Sequence, residues 1–411
     1  MCASDADVAV VGAGVVGSAI AAVCRAAGAS VRVVDPDPGG GATHAAAGML
    51  SPFGELEHTE PVLYALGRAA VEAYPEFVAA VPGGAEACAY ERAPTLVVGA
   101  DAADARRLDE LSALARGSAS VRPAAWRGDE AGAAAPAPAG SAGVRRLSSR
   151  EARSLEPLLA PGVSRALLAE GDHRVDPRRL AAALRADIGD RVVRTRAVRI
   201  ARDGSGRATG VELADGRRIR AGETVIAHGT GRIDGLDLGG AVRPVHGDIL
   251  RLRAPEGMRL RHTVRGRVRG RPVYLVPRPD GTLVVGATQR EDGDDEVSAG
   301  GVHALLRDAI ALVPSVEECR FVEHTARARP ATPDHLPLVG RAGDGLLVAT
   351  GTFRAGVLFA PLVAHIISAL AAGGDPGIDI GPLDPRRFAG ARTVRPPAQD
   401  GARRTLEGAR T

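Results

Sequence analysis

The segment from Val8 to Asp35 leaves this chain few ways to fold. Val8–Val11 is a short apolar run suited to a buried parallel strand. Val15–Ala27 has the length of a helix, and Ser30–Asp35 reads as a second strand, with turn residues between the three. Gly12-Ala-Gly14-Val-Val-Gly17 stands where the strand becomes the helix. The first glycine allows the tight turn, the second lets a pyrophosphate approach the backbone, and the third lets helix and strand pack closely. Val15 and Val16 begin the helix, whose free N–H groups and dipole favour a phosphate. Asp35 closes the second strand, where a carboxylate bonds a ribose hydroxyl and repels the extra phosphate of NADP. A βαβ unit holding the adenine half of a dinucleotide is therefore expected. The motif alone does not separate NAD from FAD.

Val8–Ala27 is nearly long enough to cross a bilayer, but three glycines and Arg25 interrupt it, so a water-exposed fold without membrane contact is expected. The 411 residues suit two domains. Aromatic residues make up only 3%, so Ala, Val and Leu must fill the interior. The net charge of +3, with arginine as the sole strong base, is too small to imply a polyanion, and no nucleic-acid partner is expected. Arg259–Arg271 alternates with apolar residues, as on the wet face of a sheet. Cys2, Cys24, Cys88 and Cys319 form no CxxC pair, which argues against a disulfide framework or a zinc site. The acidic run Glu291–Glu296 lacks the spacing of a calcium loop, so no metal is expected. A strand within the first ten residues leaves little room for a signal peptide, and the expected compartment is the cytoplasm.

Periodicity places further helices at Val62–Ala80, Asp176–Ala186, Val302–Val313 and Gly356–Ala372. Strands are expected at Thr95–Val98, Val192–Ile200, Gly210–Leu213, Arg218–Arg220 and Thr224–Ala227. Others follow at Asp248–Leu252, Val273–Val276, Leu283–Ala287 and Leu346–Ala349. Residues 124–142 read as a flexible Ala/Pro/Gly-rich loop, and 389–411 as a disordered tail.

Beyond the fingerprint, several stretches resemble the glycine oxidase/D-amino-acid oxidase (DAO) family of flavoproteins. They are Thr43-His-Ala-Ala-Ala-Gly48-Met49-Leu50, Leu155–Leu159, Asp176–Leu180, Arg243–Gly247, Tyr274–Arg278 and Val284–Thr288. Ala299–Val302, Arg329–Asp334, Gly351–Gly356 and Arg386–Phe388 complete the series. The resemblance implies noncovalent FAD and an α/β architecture, a Rossmann-like FAD-binding domain interleaved with an α+β substrate domain on a mostly antiparallel sheet. The implied segments are 1–92, 148–235 and 326–388 for FAD, and 93–147 and 236–325 for substrate. It implies Arg329 as the clamp on a substrate carboxylate, Tyr274 as an active-site wall and Arg354 as a further pocket residue. For the cofactor it adds Thr43, His44, Ala47, Gly48, Met49, Ala197, Gly229, Gly351, Phe353, Ala355, Gly356 and Val357 to Gly12, Gly14, Val15, Val16, Gly17 and Asp35. The implied reaction moves hydride from the α-carbon of glycine or an N-substituted glycine to flavin N5. Imine hydrolysis then gives glyoxylate and an amine, and O2 reoxidises the flavin to give peroxide. The partners are an amine or amino-acid substrate and O2, with a homo-oligomer left open.

The chain departs from the family where substrate is chosen. Thr352-Phe353 replaces His-Tyr, Thr325-Ala326-Arg327-Ala328 replaces Trp-x-Gly-Leu, and His228-Gly229-Thr230-Gly231 replaces Ala-Gly-x-Trp. These changes suggest a larger or more anionic substrate, such as a bulky N-substituted glycine or a hydrazine-type conjugate cleaved in biosynthesis. Competing readings are a D-amino-acid dehydrogenase with a non-oxygen acceptor, an NAD-dependent dehydrogenase and a redox-silent FAD-binding scaffold. Against a flavin monooxygenase, Gly351–Arg354 stands where that class carries Gly-Asp-Ala. His228 and His246 pair with no nucleophile in sequence and read as packing or surface residues.

Overall fold

The computed structural model describes residues 5–55, 61–118 and 143–389. The expected loop at 124–142 and the expected tail from 390 lie outside the described residues.

Ala6–Val11 and Val31–Val34 are parallel strands joined by the helix Val15–Ala26, as the fingerprint requires. They belong to a sheet ordered Leu338–Gly343, Leu346–Thr350, Arg218–Ile226, Ala6–Val11, Val31–Val34, Val192–Val193. Ala208–Leu213 and Ala197–Arg202 form an antiparallel meander on Arg218–Ile226. That long strand merges two expected short ones. Its first part pairs with the meander and its last part runs parallel to Ala6–Val11, so one strand serves both neighbours. The expected strand Val192–Ile200 divides into Val192–Val193 and Ala197–Arg202, which lie on opposite sides of the sheet.

A second sheet runs Arg320–Ala331, Arg243–Arg253, Thr282–Gly286, Arg271–Pro277, Thr263–Val268, Thr95–Gly99, Arg165–Ala169, Val144–Ser148. Every pairing is antiparallel except Thr263–Val268 with Thr95–Gly99. The chain alternates between the two sheets, which is the interleaving expected. Sheet membership differs from the expected segments at two places. Arg165–Ala169 pairs with Thr95–Gly99 in the second sheet, and Arg320–Ala331 continues that sheet past residue 325.

One core packs Val15–Ala26, Pro61–Ala79, Pro177–Ile188 and Gly356–Ala371 against the first sheet. Pro361 lies inside Gly356–Ala371, so the Val357 carbonyl four residues earlier loses its helical donor. The Tyr74 hydroxyl, itself wholly buried, donates to that carbonyl at 2.6 Å. The second core lies between the second sheet and Ala299–Leu312.

Candidate active site

One cavity of about 1060 Å³ runs from the fingerprint to the face of the second sheet. Gly12, Gly14, Val15, Val16, Asp35 and Thr43 line one end, with Ala197 and Gly229. Here the turn works as its glycines predict. Gly12 has φ +107°, and a Cβ on it would collide with the Ala227 carbonyl. Gly17 stays out of the lining, since its place is the contact of helix with strand, where a Cβ would strike the Gly12 carbonyl. Thr43 does more than line the wall: its Oγ1 accepts the Val15 N–H at 3.0 Å and so caps the helix start. Asp35 is held by N–H donation from Ala13 at 2.6 Å and from Asp37 at 2.8 Å. These bonds aim its carboxylate along the cavity wall.

Two neighbours escaped sequence reasoning. Arg185 lies beside Gly39, with Nη1 3.5 Å from the Ala13 carbonyl. Burial lowers its pKa, while Asp35 and Asp37 oppose the shift. His228, read as packing, lines the cavity. Burial drives its pKa from 6.5 down to about 4, against a weaker opposing effect of the Gly229 backbone. A neutral imidazole beside the Gly12 turn, where a Cβ would strike the Ala227 carbonyl, suits the adenosine and pyrophosphate of FAD. The only sequence signal was its place at a strand end beside glycine.

At the other end stand Tyr274, Arg329 and Arg354, with Ala47, Gly48, Met49, Phe353, Gly356 and Val357. Direct cross-strand pairing sets Ile249, Gly286 and Tyr274 in one row, hence on one face of the sheet. The Tyr274 hydroxyl lies over Gly286, where a Cβ would displace it. Arg329 pairs with Val245 and crosses Gly247, its Nη1 donating to the Thr288 carbonyl at 3.2 Å. Gly247 is bare because the guanidinium occupies the space a Cβ would need. Arg354 is exposed and lies 4.9 Å from the centroid of the Phe353 ring, whose other partner is His335 at 5.0 Å. Phe353 itself has φ +45°, and its N–H donates to the Pro330 carbonyl at 2.7 Å, tying the loop before the last helix to Arg329's strand. Gly351 and Ala355 do not line the cavity but shape this loop. Gly351 supplies φ +71°, and the Ala355 N–H donates to Thr352 at 2.9 Å. Sequence reasoning missed Phe53, Arg265 and Gln289 in the lining, whose surroundings in sequence carry no motif, and gave no role to Thr288, which ends the Val284–Thr288 stretch.

One expected residue points elsewhere, and one gained charge, which lines the main cavity, is already engaged. The His44 ring lies in a separate cavity with His324 and Arg327, 3.5 Å from Glu323. Burial and the neighbouring Arg178 lower its pKa. Arg327, whose charge suggested a more anionic substrate, donates Nε to the Gly40 carbonyl at 2.8 Å and so supports the cofactor loop. Among the described residues no cluster of three His, Cys, Asp or Glu side chains could hold a metal, and no helix is long and apolar enough to cross a membrane.

The family model for FAD dependent oxidoreductases (DAO) matches residues 7–370. The chain is 29% identical over 406 residues to a bifunctional protein ThiO/ThiG from Synechocystis, covering 96% of this chain and 55% of that protein. It thus spans about half the length of this relative. Among solved structures, it is similar to glycine oxidase from Geobacillus kaustophilus, at 29% identity, TM-score 0.77 and coverage of 93% of this chain and 98% of that one. It is also similar to iminodiacetate oxidase (IdaA) from Chelativorans sp. BNC1, at 28% identity, TM-score 0.78 and coverage of 92% and 98%.

Proposed function

We propose, from the premise that this chain belongs to the DAO family of FAD dependent oxidoreductases, that it oxidises glycine or an N-substituted glycine. The observation that carries this reading is the joining of dinucleotide turn, Gly48 loop, Tyr274 and Arg329 in one cavity. Gly12, Gly14, Asp35, Thr43 and His228 would hold the adenosine and pyrophosphate, and Ala47–Met49 with Phe353–Val357 the ring end. Bound FAD supplies an acceptor for the hydride that leaves the substrate α-carbon.

The chain's own residues then do the positioning. Arg329 grips the substrate carboxylate through paired N–H donors. With that end fixed, Tyr274 walls the α-carbon in and limits its orientations. The helix start at Gly356–Val357 directs N–H groups to where negative charge gathers. The amine is left as an imine, which water hydrolyses to glyoxylate and the free amine. Among its solved relatives is an iminodiacetate oxidase, and iminodiacetate is itself glycine carrying a carboxymethyl group on nitrogen. That supports N-substituted glycines as the wider substrate class, with O2 as acceptor.

The test is anaerobic mixing of the yellow holoenzyme with glycine, sarcosine, iminodiacetate, D-amino acids and larger N-substituted glycines. Bleaching by one of the glycines is expected. Bleaching by D-amino acids alone, or by none, sinks the reading. Peroxide formed under air then distinguishes an oxidase from a dehydrogenase.

A further inference from the structure

The loop from Ala42 to Met49 is held from behind by three arginines. The His44 carbonyl accepts Arg178 Nε at 2.7 Å and Arg251 Nη2 at 3.1 Å. The Ala47 carbonyl accepts Arg278 Nη2, whose other amino group donates to the Val175 carbonyl at 2.7 Å. The Val175 N–H in turn donates to the Gly48 carbonyl at 3.0 Å. Gly48 has φ +73°, and a Cβ there would collide with the Val175 carbonyl. The brace and the loop therefore fit in one arrangement.

A peptide unit is planar and trans, so its N–H points opposite to its C=O. With the Ala47 carbonyl turned toward Arg278, the Gly48 N–H is turned away from it. Ala47, Gly48 and Met49 all line the main cavity, whereas Arg278 does not. The brace thus sets the Gly48 N–H toward the cavity. Arg278 also brings charge. It is buried, and its nearest carboxylate, Asp176, is 3.8 Å away and already caps a helix. Burial lowers its pKa to about 10, which leaves it protonated at neutral pH. Arg251 is likewise buried, and Glu323 is engaged by Arg178 through two bonds of 2.9 and 2.6 Å. Asp176 and Glu323 thus face three guanidiniums behind the loop; Asp280 also acts on Arg278 but is exposed, so water screens it, and Arg174 is neutralised by its own partner Glu91.

We propose that Arg278 is a positioning residue for the flavin ring. It orients the Gly48 N–H toward the ring and keeps an incompletely balanced positive charge behind it. This rests on the reading that FAD places its ring against Ala47–Met49. Charge held behind the ring favours the reduced, more negative cofactor over the oxidised one, so it raises the midpoint potential.

The test compares wild type, Arg278→Met and Arg278→Lys as FAD-loaded proteins, measuring FAD affinity, visible spectrum, midpoint potential and thermal stability. Arg278→Met should bind FAD about tenfold more weakly, given the loss of two charge-assisted bonds. It should also show a more negative potential and a shifted flavin spectrum. Arg278→Lys keeps the charge but cannot span both carbonyls, so it should recover the potential and not the affinity. An Arg278→Met protein with wild-type potential and spectrum overturns the proposal, whatever its thermal stability. If Arg278→Met gives no soluble protein, wild-type FAD affinity in Arg278→Lys overturns it instead. A wild-type protein that binds no FAD would overturn the reading of the cavity, an outcome distinct from both.

Discussion

At the residue scale, the chemistry depends on side chains whose neighbours were cleared for them. Arg329 spreads over Gly247 because nothing projects there. Arg329→Met should lower kcat/KM for glycine-type substrates by roughly a hundredfold or more, consistent with the loss of a bidentate charged contact. Steady-state kinetics beside an unchanged flavin spectrum would show it. Gly247→Ala should give a smaller loss of the same kind, by displacing the guanidinium. Both substitutions were conceivable from sequence, since Arg329 stands in a family motif, yet the partnership with Gly247 spans 82 positions and only the strand register reveals it. Two histidines add a pH signature. His173 and His228 are held near pKa 4 by burial, against an ordinary value of 6.5. Their folded values are depressed, so the unfolded chain binds more protons between these limits. Stability they contribute is present above pH 6.5 and is lost as pH falls toward 4. Denaturant midpoints of the apoprotein should decline across that window, less steeply in His173→Gln. An unchanged slope in that variant would remove His173 from the account.

At the scale of elements, the last helix shows how a local defect is repaired from afar. Pro361 deprives Val357 of its helical donor, and Tyr74, from Pro61–Ala79, supplies one. Tyr74→Phe keeps the packing and leaves the buried carbonyl unmet, so it should cost about 1–3 kcal/mol in chemical denaturation. A cost near zero would mean that water or a relaxed helix replaces the hydroxyl. Elements with one clear period were legible: Val15–Ala26, Pro177–Ile188 and Gly356–Ala371 fall where apolar spacing puts them. Arg320–Ala331 was not. Its four charged side chains, Arg320, Glu323, Arg327 and Arg329, interrupt any alternating pattern, and each is accommodated by contacts or solvent that sequence does not display. The helix Ala102–Ser118 was missed for a similar reason, since charged residues fall on more than one of its faces.

At the scale of the whole molecule, the two sheets are not separable lengths of chain. The backbone passes between them four times, and the Arg178–Glu323 and Arg278–Ala47 contacts join segments far apart in sequence. Calorimetry of the apoprotein should therefore show one cooperative transition, with van't Hoff and calorimetric enthalpies in agreement. Two resolved transitions would show that the sheets unfold independently.

What the sequence determined by itself was the cofactor end: a tight turn, a helix start and an acid are neighbours in the chain, so local rules place them. The family resemblance reached further, to Arg329, Tyr274 and the loop before the last helix. Only the tertiary structure decided which side chains face the cavity. It brought His228 in, turned the His44 ring out, set Arg327 on the Gly40 carbonyl and placed Arg278 behind Gly48. Each of those outcomes depends on strand register and on which carbonyl a guanidinium reaches. Such contacts join residues tens to hundreds of positions apart, beyond the range of any local pattern.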